Sequence, residues 1–349
     1  MEINIPGLLR IKPNALNKLG KYLRKEGFSR VALYYGEGMK ALVGEKVSIS
    51  LESSEIRVQH EETVTDNLAE NVLTSAFKLP RGVDAIVAIG GGKAIDCAKY
   101  VAFLAHLPIL SVPTSISNDG FASPQSSLVV AGKRKSMKAA IPYGVILDTA
   151  VIGASPAHLT YSGVGDLVSK YSAVQDWKLA YHAEGEPVND FAVMISLQSA
   201  ENLVNFPNKS IADLEFLRLV CGALVMSGVA MEVSGSSRPA SGSEHLISHA
   251  YDAIAAKPSL HGIQVGIATL AVTLLQRHPK RDQILQVLEE TGFCSYVEAH
   301  RLDKEAFIKS IDAAPSVKPG YYTILSDDDA RESLIANIKS DAFWNRFLA

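Results

Sequence analysis

The sequence predicts an α/β domain followed by an all-helical domain. Between residues 30 and 150, short runs rich in β-branched residues alternate with helical stretches, which is typical of a parallel sheet covered by helices. After about Ser155 the strand-like runs stop, and long stretches with apolar residues at helical spacing follow. At 349 residues the chain exceeds the size at which one core keeps growing, so we expect two domains, 1–155 and 156–349.

Individual segments define the expected elements. The predicted strands are RVALYYG, SEIRVQ, DAIVAIG, PILSVPT and GVILDT, and amphipathic helices are predicted for DNLAENVLTSAFKL and GGKAIDCAKYVAFLA. In the second domain, helices are predicted for GVGDLVSKYSAVQDWKLAYHA, FAVMISLQSAENLVNF, EFLRLVCGALVMSGVAMEV, GSEHLISHAYDAIAA, HGIQVGIATLAVTLLQR and DDDARESLIANIKSDAFWNRFL. No repeat or flexible linker separates the halves, so we expect them to pack closely around a ligand-binding cleft.

Composition argues against several partners. The net charge is -3 and the basic residues are scattered, so no nucleic-acid surface is expected, and the densest basic run, 132–135, reads as a solvated hairpin tip. The chain begins without a signal-peptide pattern and has no run of about 20 apolar residues, so we expect a cytoplasmic protein with no membrane span. The three cysteines, Cys97, Cys221 and Cys294, are too far apart for a metal motif and are expected to be buried.

Three consecutive glycines, Gly90, Gly91 and Gly92, lie between a predicted buried strand and a helix. Backbone without side chains lets a phosphate approach closely, and the N-terminus of the next helix attracts its charge. A pyrophosphate cradle is one interpretation, and a plain tight turn is the other. The pattern matches neither of the two common nucleotide-binding fingerprints.

A polar segment follows the next predicted strand. It carries Thr114, Ser115, Ser117, Asn118 and Asp119 at a strand's carboxyl end, the edge at which open α/β sheets bind ligands. The hydroxyl groups are candidates for contacts to a diphosphate or a nicotinamide, and Asp119 is a candidate acceptor for substrate hydroxyls. An ordinary polar loop with an Asx turn is the alternative.

A histidine cluster indicates a metal site. His245 and His249 are four residues apart on one predicted helix face, and His261 opens the next helix. A catalytic divalent cation commonly takes two histidines and one carboxylate, and leaves one position open. We expect the carboxylate to be Asp166, on the first turn of the second domain's opening helix, rather than Glu244. The alternative is that the histidines are unrelated surface or core residues.

Five segments together resemble a known family. They are GGGKAIDCAK, SVPTSISNDGFASP, GVGDLVSKYSAVQDWKLA, SRPASGSEHLISHAYD and LHGIQVG, within residues 30–275. In order and wording the chain resembles the sn-glycerol-1-phosphate dehydrogenases and their bacterial relatives. These belong with metal-dependent alcohol dehydrogenases, glycerol dehydrogenase and dehydroquinate synthase. The resemblance implies a Rossmann-like domain that binds NAD or NADP, a helical domain that holds Zn²⁺, Ni²⁺ or Fe²⁺, and a dehydroquinate synthase-like fold with its active site between the domains.

The resemblance also implies residue roles. Asp166, His245 and His261 match the metal ligands, and His249 matches a residue that contacts substrate or relays a proton. The cofactor contacts are matched by Gly90, Gly91, Gly92, Lys93, Asp96, Thr114 and Ser117, and Asp119 matches the residue that holds substrate hydroxyls. One departure is Asn118, which stands where many members have histidine and which cannot titrate near neutral pH.

The implied reaction interconverts dihydroxyacetone phosphate and sn-glycerol 1-phosphate by hydride transfer, which places the enzyme in membrane-lipid head-group synthesis. Arg238, together with His249, is expected to bind the substrate phosphate, and the alternative for Arg238 is a structural role at a helix start. Glu37, directly after a predicted strand, favours NAD by repelling a 2′-phosphate. We also expect a homo-oligomer.

Three other functions remain open from the sequence. They are a dehydrogenase for an unphosphorylated polyol such as glycerol, a dehydroquinate-synthase-like cyclase, and a non-catalytic sensor of sugar phosphate or cofactor.

Overall fold

A six-stranded, fully parallel sheet organises the first part of the chain. In the computed structural model, which describes residues 3–349, the strand order is β1-β8-β5-β4-β2-β3. The strands are β1 (Leu8–Lys12), β2 (Arg30–Gly36), β3 (Arg57–Val64), β4 (Ala85–Gly90), β5 (Ile109–Pro113), β6 (Gln125–Val130), β7 (Lys133–Lys138) and β8 (Gly144–Asp148), of which β6 and β7 form a separate antiparallel hairpin. This sheet confirms the predicted α/β class.

Helices and a continuous apolar core support this sheet. They are α1 (Leu19–Lys25), α2 (Met39–Glu52), α3 (Ala69–Lys78), α4 (Gly92–Ala105) and α5 (Thr149–Gly153), with 3₁₀ turns at Leu16–Lys18 and Asp119–Ala122. The core joins the inward side chains of β2, β4 and β5 to α1 and α2, and Val31, Val87 and Leu110 in it are fully buried. Strands buried on both faces explain why β4 and β8 read as continuous apolar runs.

Two parts of this unit differ from the sequence expectation. The edge strand β1 was not predicted, because it has only five residues and pairs on one side, with β8. Strand β3 begins three residues later than SEIRVQ, because Glu55 adopts a left-handed conformation (φ 54°) that turns the chain after α2. The basic run 132–135 covers the end of the turn between β6 and β7 and the start of β7, so it lies at the tip of a hairpin as predicted.

The remainder of the chain, from Pro156 to Ala349, forms a second unit made almost entirely of helices. They are α6 (Ala157–Val168), α7 (Lys170–Glu184), α8 (Asp190–Asn205), α9 (Leu214–Ser234), α10 (Ser243–Ile254), α11 (His261–Leu275), α12 (Arg281–Glu290), α13 (Phe293–Ala299), α14 (Lys304–Val317) and α15 (Asp328–Ser340), with 3₁₀ turns at Ile324–Ser326 and Ala342–Arg346. The first unit ends at Ser155. The assignment of cofactor binding to one unit and metal binding to the other stays a prediction.

One helix is long and apolar enough to span a membrane. It is α9, whose most apolar window has a mean hydropathy of 1.7, although the sequence analysis expected no such run. Two thirds of that window (67%) is buried within the protein, and the three cysteines are buried as predicted. The apolar character of α9 therefore matches the packing of a core helix, which passes the same length and composition test.

The opening helix of the second unit differs from the prediction. Residues 163–183 form two helices that are separated at Ser169, whose hydroxyl donates to the Asp166 carbonyl oxygen (2.7 Å). Asp166 consequently lies near the end of α6, and its predicted position on the first turn of the helix is wrong. Gly165, directly before it, serves helix packing. A Cβ on Gly165 would lie 2.1 Å from the Gly262 carbonyl oxygen, and one on Gly262 would lie 1.9 Å from the Ser162 carbonyl oxygen.

A buried carboxylate ties three segments of this unit together. Asp176 on α7 is fully buried and accepts hydrogen bonds from the Ser243 N–H (2.7 Å), the Gln276 side-chain amide (3.0 Å) and the Ile324 N–H (3.1 Å). Burial, reinforced by the negative charge of Glu244, raises the pKa of Asp176 to about 6. The start of α10 is therefore held by an ionisable group inside the fold.

We expect Gly262→Ala to lower the free energy of unfolding by about 1–3 kcal/mol, the usual cost of overpacking a close contact. The added methyl group would collide with the Ser162 carbonyl group, which belongs to the backbone and cannot rotate aside as a flexible side chain can. The control is Gly44→Ala in α2, where the new Cβ would meet the flexible Lys40 side chain at 3.2 Å. Urea denaturation of both variants checks this, and a loss no larger than that of the control would contradict the packing argument.

The raised pKa of Asp176 predicts a pH effect on stability. A carboxyl group whose pKa is higher folded than unfolded contributes stability that is lost as pH rises through the folded value. The free energy of unfolding of the wild type minus that of Asp176→Asn should therefore fall by about 2 kcal/mol between about pH 4.5 and about pH 7.5. Urea titrations at both pH values measure it. A difference independent of pH would show that Asp176 ionises normally.

Candidate metal and cofactor sites

One carboxylate and two imidazoles meet where α6, α10 and α11 pack together. Each of Asp166, His245 and His261 offers one ligand atom, and these atoms lie within 4.8 Å of one another. The Asp166 Oδ1 to His245 Nε2 distance is 3.4 Å, and the two imidazole centroids are 5.1 Å apart. Tetrahedral coordination with bonds of about 2.1 Å separates ligand atoms by about 3.4 Å. The three predicted ligands are thus brought together at a spacing suited to one cation.

The helix crossing at the two glycines explains why these residues meet. Gly165 precedes Asp166 and Gly262 follows His261, so the backbone contact of α6 with α11 brings the carboxylate to the first turn of α11. On α10, His245 and His249 are four residues apart and lie on the same face. The His249 ring stacks on His261 at 5.5 Å between centroids. His249 is exposed and adjoins the cluster, as its predicted role requires, but it is not one of the three clustered ligands.

Glu244 orients one of the clustered imidazoles. Its side chain is fully buried, and Oε1 lies 2.8 Å from His245 Nδ1 and accepts the Gly242 N–H at 2.7 Å. Its other oxygen accepts the Ser172 hydroxyl at 2.8 Å. An ionised carboxylate accepts only, so His245 Nδ1 carries a proton and Nε2 is directed towards Asp166. Sequence reasoning rejected Glu244 as a ligand and did not anticipate this supporting contact.

The buried charges fit a divalent cation. Burial alone would raise the pKa of Asp166, but Lys170 and the two histidines hold it below its usual range. Burial alone would lower the pKa of His245, but Asp166 and Glu244 raise it to about 9. Lys170 is fully buried, with its Nζ 3.3 Å from Asp166 Oδ1 and 3.2 Å from the Ala240 carbonyl oxygen. A divalent cation at His245 Nε2 would replace the proton that the two carboxylates retain there.

In the first unit, the predicted glycine turn lies at a change of direction in the sheet. Strands β2 and β4 are neighbours, and the chain continues from β2 to β3 on one side and from β4 to β5 on the other. Ligands of open α/β sheets bind at such a point, outside the carboxyl ends of the strands. Gly90 has φ 155°, and a Cβ there would lie 3.0 Å from the Gly36 nitrogen. Only glycine fits this close approach, and it places Glu37 beside the turn.

The turn leaves the start of α4 uncovered by side chains. Gly91 caps the helix, and a side chain at Gly92 would meet no described atom within 4 Å. Thr114 N–H donates to the Gly90 carbonyl oxygen (3.0 Å), and the Ser115 hydroxyl lies 3.8 Å from the position of a Cβ on Gly91. The open start of α4, with the Ser115 hydroxyl beside it, fits a diphosphate, because the N-terminal amides of a helix bind anions.

Two other predicted cofactor residues also lie near this edge of the sheet. The Lys93 ammonium donates to the Thr65 carbonyl oxygen at 2.9 Å, directly after β3. Ser117 precedes the 3₁₀ turn that carries Asp119, and both side chains are partly exposed. The Asn118 side chain accepts the Gly120 N–H at 2.9 Å, so this segment does contain the Asx turn that sequence reasoning kept as an alternative.

Asp96 forms an ion pair within the first unit. Its carboxylate lies 3.1 Å from the ammonium of Lys99, which is fully buried. Lys99 also donates to the carbonyl oxygens of Gly120 (2.6 Å), Ser123 (3.3 Å) and Gln125. Burial raises the pKa of Asp96, and Lys99 opposes that shift. The pair anchors the segment after Asp119 to α4, and the predicted diphosphate contact of Asp96 stays a prediction.

The guanidinium of Arg238 is occupied by contacts within the protein. It is 1% exposed and forms a two-point ion pair with Glu186, with Nε to Oε1 at 2.8 Å. Nη1 donates to the Tyr322 carbonyl oxygen at 2.7 Å, and the guanidinium stacks on the Tyr321 ring at 3.6 Å. These contacts fit the structural alternative for Arg238, and the predicted phosphate contact stays a prediction. Tyr321 in turn donates to the Ser241 carbonyl oxygen (2.6 Å), just before α10.

Comparisons with known proteins give the affiliation. A family model described as iron-containing alcohol dehydrogenase matches residues 10–156. Glycerol-1-phosphate dehydrogenase [NAD(P)+] of Staphylothermus marinus is 34% identical over 338 residues, which cover 95% of this chain and 94% of the relative. The enzyme of the same name from Methanosphaera stadtmanae is 36% identical over 310 residues, 88% of each chain.

A solved structure shows the fold. The probable glycerol dehydrogenase from Sinorhizobium meliloti has a TM-score of 0.76 at 18% identity and covers 97% of this chain and 99% of its own. At that identity the likeness concerns the fold alone, and it confirms the fold class expected from the sequence. The identity and coverage of the sequence relatives carry the family assignment: this chain belongs to the glycerol-1-phosphate dehydrogenase family.

Proposed function

We propose that this protein is a metal-dependent, NAD(P)-linked oxidoreductase that interconverts dihydroxyacetone phosphate and sn-glycerol 1-phosphate. The observation that carries the proposal is the buried cluster of Asp166, His245 and His261 in a chain whose relatives bear that enzyme's name. The cluster supplies the donor set, and the relatives supply the substrate class.

The second unit provides the ligands of the metal. Asp166 contributes an oxygen, and His245 contributes Nε2 because Glu244 occupies its Nδ1. A divalent cation bound there polarises the substrate's carbonyl or hydroxyl oxygen as a Lewis acid. The donor set of one carboxylate and two imidazoles suits Zn²⁺, Ni²⁺ and Fe²⁺ alike.

The first unit binds the nicotinamide cofactor through its glycine turn. The names of the relatives include NAD(P)+, and the uncovered start of α4 supports a diphosphate at Gly91 and Gly92. Thr114, Ser115 and Ser117 orient the cofactor next to this turn. Lys93 lies at the same edge of the sheet and offsets the negative charge of the diphosphate.

Two further residues act on the substrate. Asp119 accepts hydrogen bonds from substrate hydroxyls. His249 is exposed and stacked on His261. One of its ring nitrogens accepts the proton of the reacting hydroxyl during oxidation and returns it during reduction. Asn118 cannot share this task because its amide does not titrate. The placement of the whole active site in a cleft and the assembly of the chain into oligomers stay predictions.

A second candidate is a dehydrogenase for an unphosphorylated polyol such as glycerol. The observation that favours it is the burial of Arg238 against Glu186, because Arg238 is one of the two side chains, with His249, that were predicted to bind the substrate phosphate. Phosphate dependence of the reaction separates the two candidates.

The activity test uses zinc-loaded protein with NADH and either dihydroxyacetone phosphate or dihydroxyacetone, followed by nicotinamide absorbance. We expect oxidation of NADH with the phosphorylated ketone, and His261→Ala to reduce it to background because the metal loses one of three ligands.

The matched control is His182→Ala, which removes an exposed imidazole elsewhere in the helical unit and should leave the rate unchanged. Equal or faster reduction of the unphosphorylated ketone would favour the second candidate. Turnover that survives in His261→Ala would overturn the metal assignment.

Coenzyme preference provides a separate test. Glu37 is exposed directly after β2, beside the glycine turn, where its carboxylate can bind a ribose hydroxyl and repel a 2′-phosphate. We expect Glu37→Ser to shift the ratio of kcat/KM for NADPH over NADH upwards by about tenfold, the value of one charge-assisted hydrogen bond. Glu45→Ser, an exposed acid further along α2, is the control. An unchanged ratio would remove Glu37 from the cofactor site.

A further inference from the structure

A line of buried hydrogen bonds leads away from His261 through α10 and α11. His261 Nδ1 lies 3.1 Å from the Ser248 hydroxyl oxygen, and that oxygen lies 2.8 Å from Gln264 Oε1. Ser248 is fully buried and Gln264 is 1% exposed. Ser248 thus joins the imidazole to a buried amide three residues further along α11.

The neighbours of Gln264 fix the orientation of its amide. Nε2 donates to Asp252 Oδ1 at 2.9 Å and to the Ser259 carbonyl oxygen at 2.7 Å. A carboxylate and a carbonyl only accept, so the reversed amide would place its oxygen against two acceptors. Oε1 of Gln264 therefore faces Ser248 and accepts a hydrogen bond from its hydroxyl group.

The direction of the next hydrogen bond follows from the chemistry of a hydroxyl group. The Ser248 hydroxyl has one proton, which it donates in the hydrogen bond to Gln264 Oε1. Towards His261 the Ser248 oxygen can then only accept, so the proton of a neutral imidazole lies on Nδ1. Nε2 keeps the lone pair that a metal ion needs.

We infer that Ser248 and Gln264 are positioning residues that fix His261 as an Nε2 ligand, with Asp252 and the Ser259 carbonyl setting the direction of the line. The inference rests on the proposed metal-dependent function and adds to it the reason why His261 Nε2 is available to bind the metal. Glu244 performs the corresponding task for His245 directly, by accepting from its Nδ1. The two imidazoles are thus oriented by different chemical groups, one charged and one neutral.

The two partners should fail in different ways. Ser248→Ala removes the acceptor and leaves the Nδ1 proton unpaired. Gln264→Met keeps the Ser248 hydroxyl but removes the acceptor of its hydrogen bond. The hydroxyl can then donate to Nδ1 of His261, which favours the tautomer with the ring proton on Nε2. That tautomer cannot bind a metal through Nε2. Loss of such supporting contacts weakens metal binding by about 10–100-fold.

The experiment measures the Zn²⁺ affinity of the metal-stripped full-length chain by competition with a chromophoric chelator at one neutral pH. The matched control is Ser310→Ala, which deletes another fully buried helix hydroxyl, one that donates to the Phe307 carbonyl oxygen at 2.7 Å and contacts no metal ligand. Nitrogen-15 NMR of the imidazoles, with His261 assigned from its loss in His261→Ala, reports the tautomer.

We expect weaker zinc binding in Ser248→Ala and Gln264→Met, wild-type binding in Ser310→Ala, and Nε2 protonation of His261 in Gln264→Met. Wild-type affinity in both variants would overturn the inference and leave the proposed function intact if the wild type still reduces dihydroxyacetone phosphate. Absence of zinc binding by the wild type would overturn both. Weakened zinc binding in the two variants, in a protein that reduces neither ketone, would support the inference and refute the proposed substrate.

Discussion

The backbone contact between α6 and α11 is the constraint on which the metal-ligand cluster depends. Gly165 and Gly262 allow the two helices to approach until a single methyl group would collide with a carbonyl oxygen. Asp166 and His261 are direct chain neighbours of these glycines, so the positions of both ligands follow from the helix crossing. A catalytic carboxylate on a flexible loop would require other restraints, whereas here two rigid helices set the distance between carboxylate and imidazole.

Once the helices are in place, the cluster must tolerate burial of several charges. Asp166 and Glu244 are both withdrawn from water, and one fully buried ammonium, that of Lys170, lies against Asp166. A buried charge is stable only when it is paired and hydrogen-bonded, and each of these groups has such partners. The raised pKa of His245 belongs to the same balance, because the two carboxylates hold a cation at its ring. The proposed metal would take over that positive charge at the same place.

The first unit depends on backbone geometry more than on charge. Gly36 and Gly90 bring the ends of β2 and β4 together, and the buried Lys99 fastens the segment after Asp119 to α4 through three carbonyl oxygens. Lys99 had no recognisable signal in the sequence, because an isolated lysine on a helix is normally exposed. Its partners are carbonyl groups 21 to 26 residues away, which only folding brings within reach.

The sequence by itself determined the α/β-then-helical order, most strand positions and the two clustered histidines, His245 and His261, because periodicity and the spacing of histidines along the chain are local properties. It did not determine that Asp166 ends a helix, that Glu244 supports His245 or that Arg238 is locked to Glu186. Those facts depend on contacts between segments far apart in the chain. The direction of the hydrogen bonds around Gln264 also depends on such contacts. Its partners lie on α10 and on the turn before α11, so the donors and acceptors are defined only once these segments have packed together.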